Sequence, residues 1–159
     1  MNRTFLLGIA AILLSAPVGA SAAPASPNAA QMQKLEYLVG TWTCEVKAGG
    51  QAGSAHEKFE SAFRGAWLLE TESVPGSDGV FVDVAKHYTG YDMAKKQYVH
   101  LGPNLDGTYE VATSADAAVW HSGTDAVAFT KVSNDRYTMS ANEMDGKPFS
   151  FLKTCNRTS

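Results

Sequence analysis

Hydrophobic and polar positions change period once along this chain. Between Gln31 and Val39, the residues Met32, Leu35 and Leu38 or Val39 recur at helical spacing. Ser26 or Asn28 is placed to cap the start and Gly40 to end it, so the pattern predicts one short helix. From Thr41 onward, short runs rich in Thr, Val, Tyr, Phe and Trp take over, broken by turn clusters. These are Gly49 to Ser54, Arg64-Gly65, Pro75 to Gly79, Asp92 to Lys96 and Pro103 to Gly107, then Ser114 to Asp116, Ser122-Gly123, Ser133 to Asp135 and Asp145 to Lys147. They delimit about ten strands at a spacing of roughly 8–15 residues. Connections this tight leave no room for crossover helices, so the strands form an antiparallel meander. Closing the meander removes exposed sheet edges. The predicted fold is therefore all-β, an up-and-down antiparallel barrel of about ten strands with a short N-terminal helix. A two-sheet sandwich is the rival architecture.

Alternation within the strands assigns candidate faces. Trp42, Cys44 and Val46 share one face of the first strand. In the run from Trp67 to Ser73, Trp67 and Leu69 share one face, and Glu70 and Glu72 share the other. The apolar pair is read as inward and the carboxylates as outward and solvated. Val80, Val82 and Val84 also face together. Aromatic residues spread over most strands can frame a small ligand inside a barrel. The pocket candidates are Trp67, Leu69, Val82, Tyr98, His100 and Trp120. The helix is expected to close the barrel end beside the first strand, leaving the opposite end, with its glycine-rich loops, as the entrance.

The N-terminus adds a destination. Residues 1–22 combine Arg3, an apolar run from Phe5 to Leu14 and the small residues Ala20-Ser21-Ala22, the composition of a secretory signal peptide. Residues 23–30 read as a flexible lead-in and 31–159 as the barrel domain. The apolar run is too short for a comfortable membrane span. The net charge is −3 over 159 residues, and the signal carries Arg3 but no acidic residue, so the mature domain is more acidic still. Without a basic cluster it is a poor partner for nucleic acid or anionic membrane. Cys44 and Cys155, near opposite ends of the mature chain, read as one disulfide in an oxidising compartment, with two buried thiols as the alternative. The expected location is periplasmic or secreted.

Three blocks carry a resemblance: KLEYLVGTWTCEV, FRGAWLLETE and HYTGYDMAKKQYV. A short helix running into Gly40-Thr41-Trp42 at the first strand of a meander resembles the calycin group. The three blocks in order resemble an uncharacterised bacterial lipocalin-like family, distantly similar to the nitrobindin barrels. The resemblance implies a barrel with a central cavity. It gives Gly40, Trp42 and a late basic residue structural roles. If Cys44 faces Cys155 across the closing strands, that basic residue is Arg157, over the Trp42 ring. Haem-binding members of the nitrobindin group use a histidine late in the chain. Here the last histidine is His121, so haem binding is not carried over, although His100 or His121 remains a formal axial candidate.

No motif points to catalysis. His56, His87, His100 and His121 lack metal-ligand spacing; His87, His100 and His121 would meet only if all three faced inward, and single polar histidines on outer faces are the favoured reading. There is no nucleophile elbow and no phosphate-binding glycine loop. Asn156-Arg157-Thr158 matches a glycosylation sequon of chance length. The expectation is a binding protein for a small, mainly apolar ligand, with no cofactor, no metal and no catalytic residue. An isomerase or hydrolase using inward Glu or His residues, and a filled structural barrel, are the alternatives.

Overall fold

The computed structural model describes residues 25–158. The signal peptide assigned to residues 1–22 lies outside the described residues. Helix α1 covers Ala29–Met32 and continues as a 3-10 helix over Gln33–Leu38. It begins inside the expected lead-in, where the buried Asn28 donates from Nδ2 to the Ala66 carbonyl at 2.9 Å. The 3-10 form suits the spacing of the apolar residues. Met32, Leu35 and Leu38 are spaced by three, the period of a 3-10 turn, and all three are buried, whereas Val39 is exposed.

Ten strands follow: β1 Gly40–Ala48, β2 Gln51–Ala62, β3 Trp67–Pro75, β4 Phe81–Asp92, β5 Gln97–Pro103, β6 Tyr109–Ser114, β7 Val119–Ser122, β8 Asp125–Ser133, β9 Arg136–Met144 and β10 Lys147–Arg157. Each pairs antiparallel with its sequence neighbour, and β1 pairs with β10 to close a barrel. The sandwich alternative is excluded. Every connection falls on one of the turn clusters of the sequence.

The β1–β10 seam sets Cys44 opposite Cys155 and Trp42 opposite Arg157. The cysteines form a disulfide, which suits an oxidising compartment. The Arg157 guanidinium lies 4.3 Å from the centre of the Trp42 ring. It also ties down the helical cap, with Nη1 donating to the Val39 carbonyl at 2.7 Å and Nη2 donating to the Tyr37 carbonyl. Trp42 Nε1 donates to the Leu38 carbonyl at 2.7 Å and the Tyr98 hydroxyl to the Gln31 carbonyl at 2.9 Å. These bonds fix the helix across the barrel end where β1 starts. Below it, Trp42, Phe59, Leu68, Tyr98, Tyr137 and the disulfide form a solid core.

The wall is uneven. β7 is four residues long and joins β6 through the single pair Thr113–His121. With few ladder bonds to break, this segment opens at low cost. Hydrogen exchange monitored by NMR is expected to label the β7 amides well before those of β1 and β10. Uniform protection around the barrel would contradict this.

Candidate functional site

Two environments share the barrel interior. Beneath β1, β2, β3, β9 and β10 lies a buried ionic network. Glu57 enters on the face that Ala55 and Phe59 make apolar, and Lys153 enters between Phe151 and Cys155. The Lys153 ammonium pairs with the Glu57 carboxylate and lies 3.2 Å from Glu72 Oε1. The Tyr137 hydroxyl donates to Glu57 Oε2. Burial alone would favour neutral Lys153, but Glu57, Glu72 and Glu70 more than reverse this and hold its pKa above the usual value.

Beneath β5 to β8 the interior is hollow. A cavity offers about 100 Å³ to the centres of water molecules, several times the ~10–15 Å³ that one water needs. Leu35 and Leu38 of the cap, with Phe59, Trp120, Phe129 and Met139, give it an apolar lining. Glu70, Thr89 and His100 make a polar patch in its wall, and Glu110, Ser122 and Asp125 line it toward the end opposite the helix. The helix closes the end beside β1, and polar residues line the cavity toward the opposite end.

The polar patch is built by cross-strand pairing. Glu70 of β3 stands opposite His87 of β4, and Thr89 of β4 stands opposite His100 of β5. Thr89 Oγ1 and His100 Nδ1 are 2.9 Å apart and hydrogen-bonded. The rings of His87 and His100 have centroids 4.6 Å apart. Burial, reinforced by His87 and Lys153, lowers the His100 pKa to about 3, so this imidazole is neutral. Burial first, and then the Glu57 carboxylate, push the Glu70 pKa well above the ordinary carboxylate range; Lys153 offsets part of this and Glu72 and Glu110 add to it. His87 is 5 % exposed, and its Nε2 has no hydrogen-bond partner among the described residues. Glu110 Oε2 lies 4.0 Å from that atom. Gly102 lets β5 approach β4 closely, since a Cβ there would sit 2.1 Å from the Lys86 carbonyl oxygen and 2.8 Å from Cα and Cδ2 of His87.

Of the pocket candidates, His100 and Trp120 line the cavity. Tyr98 is buried, but its hydroxyl is committed to the cap. Trp67 and Leu69 are on the outer face. Trp67 packs flat on Gly90, where a Cβ would lie 2.5 Å from the indole, and Leu69 pairs with Tyr88 beside it. Val82, paired with Val74 beyond the bulge at Glu72/Ser73, is 43 % exposed and outside the lining. The outward reading of Glu70 and Glu72 is thus reversed. β3 carries apolar residues on both faces, and the interior accepts its carboxylates because Lys153 opposes them. His87 points inward, not outward, and joins the pocket candidate His100 inside, whereas His121 is exposed.

No family model matches the chain, and no curated protein matches it. Among solved structures, a redesigned β-barrel aligns with 86 % of this chain and 100 % of its own, at 14 % identity and a TM-score of 0.46.

Proposed function

We propose that the protein is an exported lipocalin-like barrel, periplasmic or secreted, that binds a small, mainly apolar molecule. The observation that carries this reading is the cavity itself: apolar on most sides, closed at one end by a stapled helix, with a compact polar patch in its wall. Such a wall suits a compact apolar body bearing one hydroxyl or carbonyl. Neutral His100 and the Thr89 hydroxyl can meet that group without a formal charge. The volume suits a molecule of modest size rather than a long lipid chain. The disulfide and the signal-like N-terminus support export.

A lipophilic dye that brightens in apolar surroundings is expected to bind the folded protein and to quench Trp120. Trp42 is packed in the core and Trp67 sits outside, so Trp120→Phe should abolish the quenching but keep the dye. Val127→Trp, which places an indole within the lining, should abolish binding. Equal dye binding by wild type and Val127→Trp would reject the cavity as the site.

A second reading, an isomerase or hydrolase, rests on one observation: a carboxyl with a raised pKa and a neutral imidazole share the cavity wall. Bound compounds recovered unchanged after long incubation decide for binding, and conversion dependent on Glu70 decides for catalysis.

A further inference from the structure

We propose that Glu70, His87 and His100 together bind a divalent transition-metal ion, zinc by preference, in the wall of the barrel cavity. The three residues each offer a ligand atom, and these atoms lie within 4.8 Å of one another. Bonds of about 2.0–2.2 Å to a tetrahedral ion place ligand atoms about 3.4 Å apart, so side-chain rotations of about an ångström complete the set. Rigid elements hold all three: they come from the adjacent strands β3, β4 and β5, in the register described above.

Other details point to a ligand. His87 Nε2 is a buried polar atom without a partner, a costly arrangement that coordination would relieve. His100 is held by Thr89, whose Oγ1 is 2.9 Å from its Nδ1. In the tautomer whose Nδ1–H donates to Thr89 Oγ1, the Nε2 lone pair is free for the ion. The neighbouring cation does not occupy the site, because Lys153 is paired with Glu57 and Glu72. Two imidazoles and one carboxylate select a zinc-class ion over calcium or magnesium, which prefer all-oxygen shells. Since Glu70 and His100 also line the cavity, a fourth position faces it and is open to water or to Glu110. The inference stands apart from organic-ligand binding, because the ion is titrated alone.

The test uses the metal-stripped, disulfide-intact protein. Calorimetric titration with zinc chloride should give one ion per chain, and cobalt(II) should give the visible absorption of a tetrahedral or five-coordinate site. X-ray absorption of the zinc form should show two imidazole ligands and no sulfur. His87→Gln and His100→Gln should each weaken zinc by at least about 100-fold, at or beyond the upper end of the ~10–100-fold cost of losing a supporting residue. His121→Gln, altered on an exposed strand residue, should bind as wild type does. If a variant does not fold, the absorption spectrum of the wild-type protein still decides. Failure of the folded wild type to bind zinc would overturn the proposal. So would a ligand shell without imidazole, or undiminished binding in both site variants.

Discussion

Lys153→Met is expected to destabilise the protein by about 3–5 kcal/mol, the usual cost of breaking a buried ion pair from one side. Lys153 is 5 % exposed and Glu57 1 %. The ammonium is the counter-charge of Glu57 and Glu72 in the packed half of the barrel. Without it, the buried Glu57 carboxylate must either stay charged beside Glu72 or take up a proton, and both cost free energy. Adding Glu57→Gln to Lys153→Met should recover much of the loss. The amide still accepts from the Tyr137 hydroxyl, and the charge that needed Lys153 most is gone. Lys58→Ala provides the contrast. Lys58 makes an exposed 2.8 Å pair with Glu60 on the outer wall, and its removal should cost no more than about 1 kcal/mol. Urea denaturation of the four proteins measures all three differences. A single-variant loss as small as that of Lys58→Ala would mean that water reaches the network.

Removal of the disulfide should have a comparable effect. Cys44 and Cys155 are 111 positions apart, and a chain-entropy treatment of a loop that long gives about 4–5 kcal/mol as an upper figure. The Cys44→Ala/Cys155→Ala protein is expected to lose about 2–5 kcal/mol. The bond also clamps the seam on which barrel closure depends. It is next to the Trp42–Arg157 pair that holds the helical cap, so cap and seam should loosen together. Calorimetric melting should therefore show a lower and less cooperative transition. Trp42 should become accessible to quenchers earlier than in the oxidised protein. An unchanged midpoint after confirmed loss of the bond would show that barrel packing alone fixes the seam.

Much of this architecture is written locally. Turn residues such as Gly49-Gly50 and Asp145-Gly146 have the left-handed backbone that reverses a strand, and their spacing sets the number of strands. Alternation in Trp42, Cys44 and Val46 places the first strand's inward face, and the two cysteines mark the seam. The triplet spacing of Met32, Leu35 and Leu38 marks a cap, although the 3-10 geometry emerges only when all three must meet one surface.

The candidate site was not legible in the same way. Whether Trp67 or Leu68 turns inward cannot be decided within β3, because both faces carry apolar side chains. The choice is made by Gly90 on β4, which leaves a flat seat for Trp67 outside, and by Lys153 on β10, which gives Glu70 and Glu72 a cation inside. A signal did exist in the sequence: Glu57 interrupts the apolar face of Ala55 and Phe59, and Lys153 interrupts that of Phe151 and Cys155. Each charge alone looks like a strand facing water; together they are a neutralised pair. His87 and His100 likewise have no motif spacing, since their neighbourhood comes from the register of β3, β4 and β5. Local periodicity therefore determined the strands, turns, cap and seam, because these depend on residues close in sequence or on the two cysteines. Barrel closure decided which charges are inside and where the hollow lies, because charge compensation and packing are settled between residues far apart in the chain.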